Sequence, residues 1–151
     1  MNVILDTNQF SIKNIYFQES IINNVIENSN FIRILYSNDF FVLNGIYLKI
    51  NFENVTIDKH YNKYKCICNV KENNKIISYM KMLETSIMKK SGIYKIPQFK
   101  LSEQLSTGFI KIINEDENIN PNNYKSMLLK ISGIWESDRE YGITFKFFEI
   151  N

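Results

Sequence analysis

Several residue types are rare or missing in this chain of 151 residues. It contains no alanine, one histidine, two cysteines and five glycines, whereas isoleucine (25), asparagine (21) and lysine (16) are abundant. This bias is typical of A+T-rich codons, so the abundance of lysine or asparagine is not by itself a sign of function. The few glycines form no phosphate-cradling loop.

The scarcity of cysteine and histidine limits the chemistry that the chain supports. On a strand, Cys66 and Cys68 point the same way and leave no room for an unstrained mutual disulfide. His60 is the single histidine, so free, half-buried thiols are favoured over a zinc site. No nucleophile motif occurs around these residues. We therefore expect no catalytic residue, no metal and no cofactor, in a protein that is not an enzyme.

Long apolar runs are also missing. No run approaches the ~18 residues that a membrane span needs, and no N-terminal segment joins a basic start to an apolar stretch of secretory length. We expect a soluble, intracellular protein that is not secreted and has no membrane partner. The length and the 44% hydrophobic content favour one domain, residues 1–151.

What the chain has in abundance is alternation of apolar and polar residues, which predicts a mainly β protein. Residues 31–70 contain three segments rich in aromatic and branched side chains, which we interpret as three antiparallel strands. In the second segment, Ile46, Leu48 and Ile50 share the face expected to be buried. Tyr47 and Lys49 share the opposite face.

The pattern then changes to helical spacing. Apolar residues recur every three or four positions from Ile76 to Ile87, and Asn73 and Gly92 suit the two ends, which predicts one helix over residues 75–90. We expect residues 93–101 to be extended again, before a strand near 107–113 and a final hairpin. A weaker helical pattern covers residues 21–26.

Basic residues are concentrated in residues 58–100, which hold ten lysines against three acids, a local charge of +7. Lysines that alternate with tyrosines on a strand are typical of single-stranded nucleic-acid binding, because ammonium groups contact phosphates and flat rings stack on bases. The alternative is a solvated sheet face. The candidate nucleic-acid-binding residues are Tyr47, Lys49, Tyr61, Lys63, Lys65, Lys130, Trp135, Tyr141 and Lys146.

The single tryptophan, Trp135, has two interpretations. If its strand is regular, Trp135 shares a face with Leu129 and Ile131 and plugs the core, while Lys130 points the other way. A bulge at Gly133 would change the register and turn the ring into a platform for bases. The parity of a regular strand favours the core.

Three stretches of the sequence resemble a known family of proteins. "RILYSNDFFVLNGIYLKINFENVTI", "KYKCICNV" and above all "LLKISGIWESDREYGITFKF" resemble single-stranded-DNA-binding proteins of large nucleocytoplasmic DNA viruses, of the OB-fold type. The resemblance covers about residues 31–70 and 125–149. It implies an OB-like five-stranded Greek-key barrel over residues 31–151, with a helix between strands 3 and 4, after an N-terminal extension of residues 1–30.

The resemblance also implies a role in viral DNA replication or repair. The partners would be single-stranded nucleic acid, DNA in preference to RNA, together with replication proteins and further copies of the chain. A viral protein of this kind would act in the host cytoplasm or a viral factory. The chain ends without the acidic tail that many replicative binders use for recruitment.

A rival interpretation belongs to another class of protein. The chain would then be a β-rich viral structural or accessory module that contacts proteins, or copies of itself, and ignores nucleic acid. Phe40, Phe41 and Phe148 would be its anchors.

Overall fold

The computed structural model describes residues 3–60, 63–113 and 126–150. In these ranges the chain forms eleven strands and two α-helices, which confirms a mainly β protein of the α+β class. The strands are β1 (Leu5–Asp6), β2 (Ile15–Ile22), β3 (Asn30–Ser37), β4 (Val42–Asn44), β5 (Ile46–Asn51), β6 (Thr56–His60), β7 (Lys63–Ile67), β8 (Ile96–Pro97), β9 (Phe109–Ile113), β10 (Ser126–Glu136) and β11 (Glu140–Glu149). The helices are α1 (Asn74–Lys90) and α2 (Lys100–Thr107), and a single 3₁₀ turn spans Ile12–Asn14.

The eleven described strands belong to one open, mixed sheet. Its main path runs β1-β5-β10-β11-β9-β7-β6. Away from this path, β2 and β4 pair with β3, β3 pairs with β10, and β8 pairs with β11. The five-stranded Greek-key barrel stays a prediction, because this strand order does not establish it.

The three strands expected over residues 31–70 are five in the structure. The second segment is divided at Gly45, so that β4 pairs with β3 whereas β5 pairs with β10. Gly45 has a φ of +109°, and a Cβ there would lie 3.1 Å from the carbonyl oxygen of Ile131. Glycine therefore lets the chain cross from one neighbouring strand to the other. The third segment, β7, pairs with β6 and β9 rather than with β5.

The core lies between one face of the sheet and the two helices. Ile46, Leu48 and Ile50 are fully buried, as their alternation predicts, and they share a cluster with Leu129 and Phe147. We call this the core face of the sheet and the opposite one the outer face. Alternation of side chains along each strand assigns every strand residue to one of the two.

Helix α1 follows the predicted period and bounds closely. Its buried side chains include Met80, Leu83 and Ile87, and Gly92 follows its C-terminal end with a φ of +70°. Asn73 does not cap the helix with its side chain. Instead, the Glu53 backbone N–H donates to Oδ1 of Asn73 over 2.7 Å, which ties the helix start to the chain that follows β5.

The described N-terminal residues are part of the sheet. β1 pairs with β5, and β2 pairs with β3. The helix expected over residues 21–26 is wrong: Ile21 and Ile22 pair with Phe31 and Asn30 as the end of β2. The side chain of Asn23 then accepts the backbone N–H groups of the following turn, so local hydrogen bonding outweighs the apolar spacing.

A second helix stands where we expected extended chain. Ile96 and Pro97 form the short strand β8, as the proline suggests, but α2 begins at Lys100. The carboxyl oxygens of the fully buried Glu84, in α1, accept the backbone N–H groups of Leu101 and Ser102, each over 2.9 Å. The Ser102 hydroxyl donates to the same group over 2.5 Å. The first turn of α2 is thus capped by another helix.

We predict that Glu84→Ala lowers the free energy of unfolding by roughly 2–3 kcal/mol, because buried N–H donors at the start of α2 lose their acceptors. Denaturant unfolding followed by circular dichroism measures this change. The matched control is Glu103→Ala in α2, whose exposed carboxyl lies 3.8 Å from the Lys100 ammonium. It should cost under about 0.5 kcal/mol, and equal losses in the two variants would contradict the capping role.

Candidate nucleic-acid interface

Lysines from four adjacent strands lie side by side on the outer face. Lys130 of β10 is the direct cross-strand partner of Lys146 of β11, and Lys65 of β7 is the partner of Lys111 of β9. Lys146 and Lys111 each precede a residue of the Phe147–Ile112 pair that joins β11 to β9, so the two lysine pairs are continuous. We call these four residues the lysine row. At about 4.8 Å between strands, the row spans about 14 Å.

The lysine row carries positive charge toward solvent. Lys65, Lys111 and Lys146 are exposed, and Lys130 is half-buried. Among the described residues, none of the four forms an ion pair. On the next strand, β6, the cross-strand partner of Lys65 is an acid, Asp58. Lysines held this close repel one another, so a polyanion that replaces their counterions is a favourable ligand.

Two ammonium groups of the row lie over aromatic rings. The Nζ of Lys65 is 5.2 Å from the ring centroid of Phe109, and the Nζ of Lys130 is 5.6 Å from that of Tyr47. Among the residues that the structure describes, neither of these two ammonium groups forms an ion pair with a carboxylate. They also orient the side chains across the sheet surface.

An apolar row runs beside the lysine row on the same face. Leu128 of β10 pairs with Phe148 of β11, which pairs with Ile113 of β9, and all three are half-buried. Lys49 of β5 pairs with Leu128 and stands at one end. The outer face therefore offers ammonium groups and apolar side chains in parallel lines.

The structure brings together five of the predicted lysines but not the predicted tyrosines. Lys63 lies two residues from Lys65 and is exposed, so it extends the lysine row along β7. The ring of Tyr47 is only 8% exposed, beneath Lys130, and Tyr141 is 7% exposed within the core cluster. Neither ring is free to stack on a base. Tyr61 lies outside the described residues.

Trp135 lies on the outer face, because β10 contains a bulge. Ile131 pairs with Phe145 and Gly133 with Thr144, so Ser132 is an extra residue without a partner in β11. Beyond it, Ile134 takes the fully buried position, and Trp135 is half-buried on the face that carries Lys130. The core position expected from a regular strand is wrong, and the bulge is the reason.

The sequence interpretation missed Lys111 and Arg33. Lys111 stands between the buried Ile110 and Ile112, an alternation that marks it as outward-facing. Arg33 of β3 is exposed and pairs with Gly133. Alternation was a sufficient signal for orientation, but only the strand order reveals which lysines become neighbours.

The basic zone of residues 58–100 is not one surface. Lys75, Lys81, Lys89 and Lys90 belong to α1, which packs on the core face, whereas Lys63 and Lys65 are on the outer face. The charge summed along the sequence therefore does not predict which lysines share a surface. The lysine row draws two of its members from β10 and β11 and a third from β9, all outside that zone.

The cysteines lie on the core side and are free. Cys66 is fully buried, and burial, with a smaller effect of Cys68, raises the pKa of its thiol to about 12; burial also raises the pKa of Cys68. Both thiols are therefore protonated at neutral pH and are poor nucleophiles.

Among the described residues, no three His, Cys, Asp or Glu side chains are grouped to hold a metal ion, and no helix is long and apolar enough to cross a membrane.

We predict that neither cysteine reacts with a disulfide reagent at pH 8 in the folded protein, because both thiols are buried and burial raises the pKa of each. Both should react at once in guanidinium chloride. An exposed Ser78→Cys variant in α1 is the positive control. Wild-type labelling as fast as that of the variant would contradict the buried, protonated state.

The chain matches no protein-family model, and no curated protein or solved structure shows significant similarity to it. The function is therefore to be inferred from the side chains on the outer face.

Proposed function

We propose that this protein is a non-catalytic binder of single-stranded DNA, which holds successive phosphates on the lysine row. The observation that carries the proposal is the placement of Lys65, Lys111, Lys130 and Lys146 on adjacent strands of one face. A line of ammonium groups across the strands is complementary in charge to the successive phosphates of one nucleic-acid strand. Lys49 and Lys63 lengthen this positive surface at its two ends.

The apolar row supports a single strand rather than a duplex as the ligand. In a duplex the faces of the bases are stacked inside, so Leu128, Phe148 and Ile113 would gain no contact with them. An unpaired strand exposes its bases, which then pack on apolar or aromatic side chains beside the phosphate contacts. The half-buried apolar row and the exposed ring of Phe109 are placed for such contacts.

The family resemblance supports the same ligand and extends the proposal. It implies an OB-like five-stranded Greek-key barrel and a role in viral DNA replication or repair, in the host cytoplasm or a viral factory. Replication proteins would then be partners. DNA is preferred to RNA in this proposal because of the resemblance.

A second candidate function is protein–protein interaction without nucleic acid. The ring of Phe40, in the turn between β3 and β4, is 90% exposed, and the edge strand β2 exposes Tyr16, Ile21 and Ile22. Exposed apolar side chains on an edge strand favour association with another chain. Of the other proposed anchors, Phe41 packs against Tyr36 with 6.3 Å between ring centroids. Light scattering that shows a large oligomer, with no affinity for oligonucleotide, would favour this candidate.

We predict that wild-type protein binds a labelled thymidine oligonucleotide with a slope of log K against log salt of about −3, as expected for about four phosphate contacts on a single strand. Replacing Lys111 and Lys146 together by Gln should reduce the slope to about −1.5, since two contacts are lost. Fluorescence anisotropy over a salt series measures both slopes.

The control removes the same charge from the other side of the sheet. Lys75→Gln with Lys89→Gln changes two exposed lysines of α1 and should leave the slope near the wild-type value. If both double variants weaken binding equally, net charge rather than the lysine row explains it. Absence of binding at low salt would refute the proposed function, and equal affinity for a duplex would refute its single-strand preference.

A further inference from the structure

Trp135 lies over a glycine on the outer face. Its cross-strand partner in β11 is Gly142, and a Cβ at Gly142 would stand 3.0 Å from Nε1 and 3.1 Å from Cζ2 of the indole. The carbonyl oxygen of Gln98 would stand 2.7 Å from the same Cβ, so the indole and the chain that follows β8 together occupy the space that a side chain at position 142 would fill. Because Trp135 is only half-buried, part of the indole is exposed to solvent.

A second ring lies over a second glycine nearby. Phe31 of β3 is the cross-strand partner of Trp135, and a Cβ at Gly133 would stand 2.7 and 2.8 Å from Cζ and Cε2 of Phe31. Phe31 is also half-buried. The two rings thus lie on adjacent strands, each over a position that lacks a side chain.

These rings share their face with basic residues. The exposed Arg33 pairs with Gly133, beside Phe31. Trp135 lies five positions beyond Lys130 on β10, and with one residue in the bulge this separation is about 13 Å. One extended single strand is long enough to reach from the lysine row to the rings.

We propose that Trp135 and Phe31 form an aromatic subsite that stacks unpaired bases of the strand whose phosphates the lysine row holds; this inference rests on the proposed function. The chemistry is sequence-tolerant, because every base presents a flat, polarisable face to the indole. Arg33 contributes a guanidinium beside the rings, suited to a phosphate or to stacking on a base. The bulge at Ser132 makes the subsite, since a regular strand would place the indole on the core face.

The test compares two oligonucleotides of about 12 nucleotides that differ only in their bases. One carries thymine at every position, and the other is abasic with the same phosphates. Anisotropy of a labelled end reports phosphate binding, and the emission of Trp135, the single tryptophan, reports stacking. We expect both probes to bind wild-type protein and only the thymidine probe to quench the emission.

Variants give an independent measurement. Trp135→Leu should weaken the thymidine probe about 5- to 100-fold and leave the abasic probe unchanged, because only the stacking contact is lost. Trp135→Phe, which keeps a ring, should restore most of the affinity. Phe40→Leu, at an exposed ring in the β3–β4 turn, is the matched control and should change neither probe.

Each other outcome overturns the subsite. If the thymidine probe binds without quenching, or if Trp135→Leu weakens both probes equally, the ring only packs on Gly142 and does not stack on bases. Phosphate binding by the lysine row is not refuted by either result. If neither probe binds at low salt, the proposed function fails and the subsite fails with it. The quenching experiment needs no variant, so a folding defect in Trp135→Leu does not remove the test.

Discussion

The backbone of β10 is the constraint on which the rest of the sheet depends. Its first half pairs with β5 and its second half with β3, and the extra residue Ser132 separates the two. The crossing is crowded: a Cβ at Gly133 would collide with the carbonyl oxygen of Ile32, and Gly45 faces Ile131 from the other strand. Gly133 and Gly45 therefore allow β10 to pair with both β3 and β5 on the same side. The same bulge places Lys130 and Trp135 on one face.

The formal net charge of the chain is +2, which by itself does not indicate a ligand. The placement of a few charges is more informative, because α1 directs several lysines away from the sheet while β7, β9, β10 and β11 align four others. The ligand that such a surface favours is extended and anionic. In the proposed function, apolar side chains beside the lysines would favour an unpaired strand over a fully stacked duplex.

Local periodicity was enough to predict α1, the buried face of β5 and the outward direction of Lys63 and Lys65. It was not enough for features that depend on distant residues. The carboxylate that caps α2 belongs to Glu84, 17 positions before Leu101. No motif at residues 99–102 predicts this cap. The position of Trp135 depends on a bulge that the sequence allows but does not require. The lysine row depends on strand order, which pairs β9 with both β7 and β11.

The Glu84 cap also bears on the order in which the chain folds. A helix of eight residues is too short to persist alone in water, where about 12–15 are needed for even marginal stability. The acceptor for its first turn exists only once α1 has formed and its buried side has reached the sheet. α2 is therefore expected to form late, after α1 has docked, and β9, which directly follows α2, would then join β7 and β11 among the last strands. The surface that joins the two halves of the lysine row would thus be completed at the end of folding.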